Sequence, residues 1–284
     1  MSRFIAALPM YDWPEVRAET DAQWARLRDG LCRRGVDAPE GLTRANTPEG
    51  RLDLAALWRD PALLFAQTCW GPMGQGLAEH VQVIGQPDYS AFEGGEGEFY
   101  SSAVVMRRNG APPSALPGIS PSRGEIGQSP APKLPISPLE GEMPGRAEGG
   151  VPAPTDGRPI LPLGLLRGRR LAFNSADSMS GILALTSDLE AMGESLGVFS
   201  QRVETGGHRA SVVAVAGGRA DVAAIDCRSW AMARRFEPAA QKLAVVGWTG
   251  RRKGLPYICA RNLPPETLAA LREAATEAGM LVRT

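Results

Sequence analysis

The sequence contains little of what builds a metal centre, since its 284 residues include two histidines and four cysteines. No two cysteines form a Cys-x-x-Cys pair, and the histidines, His80 and His208, lie far apart in the sequence. Structural and catalytic zinc sites draw on clustered thiolates and imidazoles. We therefore expect no metal site, and no motif predicts a cofactor.

The sequence also lacks an excess of charge and a long apolar run. Its 31 Lys and Arg residues balance 31 Asp and Glu residues, which argues against nucleic acid or an anionic membrane surface as a partner. No apolar run is long enough to span a bilayer, so we expect no membrane insertion. The opening stretch MSRFIAALPMYDWPE lacks the apolar segment of a signal peptide. As written, the chain is predicted to be cytoplasmic, whereas a longer true N-terminus would make it periplasmic.

Familiar catalytic motifs are absent as well. The sequence has no Gly-x-Ser-x-Gly, no His-Glu-x-x-His and no Gly-x-Gly-x-x-Gly between a strand and a helix. Ser180, His208 and Asp226 could be assembled into a triad on paper, but no motif orders them. The sequence therefore predicts no catalytic residue and a protein that is not an enzyme.

What is present is an alternation of strands and helices. A short apolar run at residues 4–8 precedes a helical pattern that begins near Pro14. The buried-strand pattern LLFAQTCWGP is followed by a short helix and by the strand VQVIGQ. The tail LPPETLAALREAATEAG reads as an amphipathic helix. With 43% hydrophobic residues, the chain is long enough for two medium domains or one large one, and the alternation predicts the α/β class.

One long segment matches no regular structure. From about Gly110 to Pro162 the sequence is dominated by Pro, Gly, Ser and charged residues, and a loop of roughly fifty residues is far longer than usual. It contains the near-repeat ISPSRGE and ISPLEGE, which resembles the translated repeat elements of some bacterial genes. We predict a disordered insert that is a passenger in the fold.

The stretch LAFNSADSMSGILAL places small polar residues where a strand meets a helix. Ser178, Ser180 and Gly181 lie at the predicted helix start, where hydroxyl groups and free backbone amides can bind an anion. The alternative is that Ser178 or Ser180 only caps the helix, because serine is a preferred cap residue. Taken alone, the turn fits capping better, since no phosphate-loop lysine accompanies it.

Two further candidates follow nearby turns and strands. His208 comes directly after Gly206 and Gly207, in the first turn of a predicted helix, where its imidazole could donate to an anion. A lone histidine is more often a structural residue than a ligand. Asp226 follows the strand VAAI, where an acid could bind a hydroxyl or ammonium group or could cap the next helix.

Three blocks carry a resemblance to a known family: NSADSMSGILAL, GGHRASVVAVAGGRADVAAIDC and GWTGRRKGLPYICARNLP. In order and spacing they resemble the substrate-binding proteins of phosphate, phosphite and phosphonate ABC transporters, and the middle block is the most specific. The resemblance implies a non-catalytic protein that captures a small phosphorus oxyanion and serves a transporter permease. We expect such a protein to be a monomer.

That family has a type 2 periplasmic-binding-protein fold, which implies two α/β lobes that close over a small ligand. The first lobe would hold residues 1–107, together with the crossover and return at residues 246–284. The second lobe would hold residues 108–245, including the disordered insert at about residues 110–162.

The resemblance also implies a set of ligand-binding residues. Ser178, Ser180 and the backbone at Gly181 would bind phosphoryl oxygens. His208 would add a donor, and Asp226 would meet a protonated oxygen or an amine of the ligand. Aromatic residues of the first lobe would line the cleft: Trp70, Tyr11 and Tyr100.

Two alternatives remain open on the same fold. An enzyme resembling the pyrimidine-forming thiamine-biosynthesis proteins would need a centre rich in histidine and cysteine, and neither Cys227 nor Cys259 has suitable neighbours. A cytoplasmic ligand sensor, resembling the effector-binding domains of transcription regulators, would need a separate partner, because no helix-turn-helix pattern precedes the first strand.

Overall fold

The computed structural model describes residues 3–47, 50, 52–108 and 150–282. Most of the predicted insert, residues 110–149, lies outside these described residues. Among the residues that are described, no helix combines the length and the apolar character needed to cross a membrane.

Strands and helices alternate along the described chain, which confirms the predicted α/β class. The strands are β1 (Ile5–Ala7), β2 (Leu63–Gln67), β3 (Val81–Gly85), β4 (Gly95–Glu96), β5 (Phe99–Tyr100), β6 (Ser102–Arg107), β7 (Arg170–Phe173), β8 (Gln201–Glu204), β9 (Val222–Asp226), β10 (Leu243–Trp248), β11 (Arg252–Lys253) and β12 (Tyr257–Ala260). The α-helices are α1 (Arg17–Arg33), α2 (Leu54–Arg59), α3 (Trp70–Gly74), α4 (Leu163–Leu166), α5 (Ala184–Ala191), α6 (His208–Ala216), α7 (Cys227–Phe236) and α8 (Pro265–Glu277). Short 3-10 helices span Pro14–Val16, Leu77–Glu79, Leu196–Val198 and Pro238–Lys242, and a π-helical turn, Met179–Leu183, leads directly into α5.

A four-stranded sheet has the order β1-β2-β12-β3. β1 and β2 are parallel, and β12 runs antiparallel to both β2 and β3. All five residues of β2 are buried, as the apolar run of its first four residues predicts. Helices α1 and α8 cover this sheet, and their residues Trp24, Leu27 and Leu271 share one core with the strand residues Phe65 and Tyr257.

A five-stranded sheet has the order β10-β6-β9-β7-β8. β7 is parallel to both β8 and β9, whereas β6 is antiparallel to its neighbours β9 and β10. Every residue of β9 is buried. The carboxyl ends of β7, β8 and β9 therefore lie at the same edge of the sheet.

Two segments connect the sheets and pair with each other. They form a small sheet of order β11-β5-β4, in which Arg252 lies opposite Tyr100. The Ser102 N–H donates to Thr249 Oγ1 at 2.8 Å, and the Thr249 N–H donates to Ser102 O at 3.0 Å. The predicted lobe boundaries at residues 107 and 245 stay predictions. Both positions fall within strands of the five-stranded sheet, β6 and β10.

Residues 150–162, which the sequence assigns to the disordered insert, follow a defined path along β10. The Val151 N–H donates to Val245 O at 3.0 Å, and the Trp248 indole N–H donates to Val151 O at 2.8 Å. Ile160 forms an antiparallel bridge with Trp248. These contacts satisfy backbone groups that β10, as an edge strand, would leave unpaired. The predicted boundary at residue 162 is therefore wrong, because composition does not register pairing with a distant strand.

We predict that two deletions behave differently. Removing residues 109–149 and joining Arg108 to Gly150 through a short Gly/Ser linker should leave the thermal unfolding midpoint nearly unchanged, because both ends flank β10 and loop length has a small energetic cost. Removing residues 109–162 should lower the midpoint by roughly 5 °C or more, since it exposes the sheet edge. Calorimetry checks this, and equal midpoints for the two deletions would contradict the role of residues 150–162.

Candidate functional site

Three helix N-termini meet at the carboxyl edge of the parallel strands β7, β8 and β9. The π-helical turn follows β7, α6 begins at His208 after β8, and α7 begins at Cys227 after β9. The first amides of a helix have no intrahelical acceptor, and the helix dipole makes this end favourable for negative charge. The edge therefore concentrates hydrogen-bond donors where open α/β sheets hold their ligands.

The two serines of the polar turn make different contacts. Ser178 Oγ accepts a hydrogen bond from the Gly181 N–H at 3.1 Å, so Ser178 caps the helix and occupies the Gly181 amide. Ser180 Oγ lies 2.8 Å from His208 Nε2. Both serines are buried. Capping, which the sequence left open for either serine, is thus observed for Ser178, while the Ser180 hydroxyl faces the next helix.

Asp226 is the carboxylate at the centre of this edge, and it is 2% exposed. Its Oδ1 accepts from the Ser229 N–H at 2.9 Å and from the Tyr11 hydroxyl at 3.2 Å, and its Oδ2 lies 3.1 Å from His208 Nε2. Burial alone would raise the pKa of Asp226, but the contact with His208 and the hydrogen bonds from His208 and Ser229 outweigh burial and lower the pKa. Asp226 is therefore an anion that caps α7 and contacts His208.

His208 uses one ring nitrogen for both of its polar neighbours. Its Nε2 faces Ser180 Oγ and Asp226 Oδ2, whereas its Nδ1 is buried and has no hydrogen-bond partner among the described residues. In a Ser-His-Asp triad the acid contacts Nδ1, and Nε2 is left to take the serine proton. The three residues meet, but not in the geometry that activates a serine nucleophile.

Three buried tyrosines lie near this edge: Tyr11 follows β1, Tyr89 follows β3, and Tyr100 is in β5. The Tyr11 hydroxyl lies 3.3 Å from the Tyr89 hydroxyl as well as contacting Asp226. The Tyr89 ring stacks on Tyr100, with ring centroids 5.4 Å apart. Burial raises the pKa of all three phenols, and the charge of Asp226 raises it further. The tyrosines are therefore neutral, and their hydroxyls can donate hydrogen bonds.

Two further aromatic residues contact the connecting segments: Trp70, which the sequence predicted, and Tyr89, which it did not. Trp70 donates its indole N–H to Gly254 O at 2.7 Å, so the structure places it against the segment between β11 and β12. Tyr89 was not predicted from the sequence, although an aromatic residue soon after the end of β3 was a usable signal. Its hydroxyl also accepts from the Leu255 N–H at 3.0 Å, which ties it to the connecting segment.

The N-terminus of α3 contacts the polar turn directly. Cys69 Sγ lies 3.7 Å from Asp177 O, and a Cβ built on Gly71 would lie 1.6 Å from the same oxygen. No side chain larger than hydrogen fits there unless the backbone of α3 and that of the polar turn move apart. We call these three residues, Cys69, Gly71 and Asp177, the seam.

A surface pocket of about 280 Å³ lies elsewhere, beside β10, and its lining includes Trp230, Arg234 and Val245. It contains none of the residues predicted to bind a ligand. The candidate site is therefore defined by the polar contacts around Asp226 and His208 and not by this pocket.

Comparison with known proteins gives one family match. Residues 149–280 match the model of a family described as the periplasmic substrate-binding protein of phosphonate ABC transporters. A search of curated proteins found no match.

Solved structures of similar fold include PhnD1 from Prochlorococcus marinus (MIT 9301) in complex with methylphosphonate, with 14% identity, a TM-score of 0.58, and coverage of 97% of this chain and 83% of that one. A protein from Xanthomonas citri bound to chloride has 14% identity, a TM-score of 0.57, and coverage of 97% and 84%. A binding protein component of an ABC phosphonate transporter from Pseudomonas aeruginosa has 12% identity, a TM-score of 0.57, and coverage of 96% and 74%. This likeness confirms the predicted two-lobe periplasmic-binding-protein architecture.

Proposed function

We propose that this protein captures a small phosphorus oxyanion for uptake by an ABC transporter, because residues 149–280 match the model of the periplasmic substrate-binding proteins of phosphonate ABC transporters. The observation that carries the proposal is the meeting of three helix N-termini with Ser180 and His208 at one buried edge. Helix N-termini and neutral hydroxyl groups are suited to bind compact anions. The ligand is bound and released without a bond being made or broken.

Each residue of the edge has a distinct role in this proposal. Ser180 and His208 exchange their mutual contact for hydrogen bonds to the phosphoryl oxygens. Ser178 holds the Gly181 amide and so fixes the backbone of the turn. Asp226 orients His208, and its Oδ2, which only His208 contacts among the described residues, can accept from a protonated ligand oxygen.

The aromatic residues exclude water from the bound ligand. Tyr11 and Tyr100 are nearly fully buried, and they line the site with their rings and hydroxyl groups. Trp70 holds the connecting segment through its hydrogen bond to Gly254 O. A dry site strengthens each hydrogen bond to the anion, because the local dielectric constant is low.

We propose that the two larger sheets are the cores of the two lobes and that the connecting segments form the hinge. The predicted division into residues 1–107, 108–245 and 246–284 is adjusted in this proposal so that all of β6 and β10 belong to the second lobe, because both are strands of the five-stranded sheet. A few residues beside β5 and β11 would absorb the motion, since hinge closure needs changes at only a few backbone positions.

This function requires the permease of an ABC transporter as a partner. The matched family is described as periplasmic. We propose that the protein acts in the periplasm as a monomer and binds neither nucleic acid nor membrane. An enzymatic role is not favoured, because the Nε2 atom of His208 cannot both pair with Asp226 and serve as base for Ser180.

The first test is a thermal unfolding panel of phosphate, phosphite, methylphosphonate, 2-aminoethylphosphonate, sulfate and thiamine precursors. A ligand at about a hundred times its Kd should stabilise the native state by about 2.7 kcal/mol. We expect a shift with at least one phosphorus oxyanion and none with thiamine precursors. A panel without any phosphorus-dependent shift would contradict the proposed function.

Ser180→Ala tests the assignment of the oxyanion site. We expect the affinity for the bound oxyanion to fall by about 10- to 100-fold, which corresponds to one lost hydrogen bond to a charged group. Ser211→Ala is the control, because the Ser211 hydroxyl is also buried but pairs with Thr205. Isothermal titration calorimetry measures both variants, and equal affinities would overturn the assignment.

Gly71→Ala tests the seam. A methyl group at this position collides with Asp177 O, so the contact between α3 and the polar turn should be disfavoured and oxyanion affinity should fall by at least about tenfold. Gly74→Ala, in the same helix with open space around its Cβ position, should bind as the unsubstituted protein does. Two equal affinities would show that ligand binding does not require this close contact.

A further inference from the structure

One cation of the site pairs with no acidic side chain among the described residues. Arg228 lies in the first turn of α7, two residues after Asp226, and it is half-buried. Its guanidinium lies over the ring of Tyr11, 4.3 Å from the centroid, and 5.9 Å from the centroid of Phe92. Tyr11 and Phe92 follow strands of the four-stranded sheet, so Arg228 bridges the two sides of the proposed cleft.

Stability of the helix does not explain an arginine at this position. The N-terminal turn of a helix carries the positive end of the dipole and disfavours a cation. The neighbouring carboxylate of Asp226 is already engaged by Ser229, Tyr11 and His208. Cation–π contacts with Tyr11 and Phe92 stabilise the positive charge of the guanidinium but use none of its N–H donors.

Other arginines close to the site are paired with acids. Arg209 on α6 contacts both Glu15 and Glu237, at 2.9 and 2.8 Å. The Arg228 guanidinium, by contrast, makes no ion pair and no hydrogen bond with any part of the chain that the structure describes. Its N–H donors are therefore available to a molecule that enters the cleft.

The contacts of the site connect this cation to the oxyanion position. Ser180 contacts His208, His208 contacts Asp226, Asp226 accepts from Tyr11, and the Tyr11 ring lies against Arg228. Resting on the proposed function, we propose that the ligand carries a carboxylate in addition to its phosphonyl group and that Arg228 binds this carboxylate. The ligand class is then a phosphonocarboxylate, held at one end by Ser180 and His208 and at the other by Arg228.

Arginine suits this task because its planar fork matches the two oxygens of a carboxylate. The same charge repels an ammonium group. The predicted contact of Asp226 with a ligand amine is therefore less favourable here than its contact with a protonated oxygen.

The test compares matched ligand pairs that differ in a terminal carboxylate. Phosphonoacetate, 3-phosphonopropionate and 4-phosphonobutyrate are titrated against methyl-, ethyl- and propylphosphonate by calorimetry. We expect one carboxylate ligand to bind the unsubstituted protein at least about tenfold more tightly than its alkyl counterpart, and the best chain length reports the spacing between the two anion positions. 2-Aminoethylphosphonate should bind more weakly than ethylphosphonate.

Arg228→Gln should abolish the difference between the matched ligands, and Arg228→Lys should retain part of it. The control is Arg235→Gln, in the same helix, because Arg235 also lies over an aromatic ring, that of Phe236, but is exposed. This control should keep the full difference. The inference is overturned if the matched ligands bind the unsubstituted protein equally, or if the difference survives in Arg228→Gln. Failure of every phosphonate to bind is a separate result, because it refutes the proposed function itself.

Discussion

The buried carboxylate of Asp226 is the point on which the arrangement of this protein depends. It ends β9, caps α7, contacts His208 at the start of α6 and accepts from Tyr11 of the other side of the cleft. A carboxylate removed from water is costly unless hydrogen bonds replace its hydration. Here the donors come from three different parts of the chain, so satisfying one charge also fixes how these parts lie together.

This constraint explains why the candidate site is both polar and buried. Parallel strands bring the helix N-termini to one edge, and the tyrosines cover that edge with rings whose hydroxyls remain hydrogen-bond donors. At the seam, Gly71 allows the backbone of α3 to approach the backbone of the polar turn closely. The same features that stabilise the contact between the two sides also leave donors facing inward, which is what an oxyanion-binding protein requires.

Much of this fold is predictable from local pattern. The apolar run that makes up most of β2 and the helical spacing of α8 identify these elements, because both patterns can be read from neighbouring residues. The position of His208 after two glycines and that of Asp226 after a buried strand also predict their place at helix N-termini. The structure bears out these positions.

The remainder depends on contacts between distant residues. Ser178 and Ser180 look alike in the sequence, and only the fold shows that one caps its helix while the other faces His208. Tyr89 and Arg228 gain their significance from neighbours more than a hundred residues away. Composition alone extended the predicted insert to residue 162, because no local sequence feature reveals that residues 150–162 pair with β10.

The most direct test of this account is a crystal structure of the protein with methylphosphonate. The account predicts the phosphorus atom at the carboxyl edge of β7, β8 and β9, with ligand oxygens within hydrogen-bond distance of Ser180 Oγ and a His208 ring nitrogen. A ligand bound in the surface pocket beside β10, or one that makes no contact with Ser180 or His208, would contradict it.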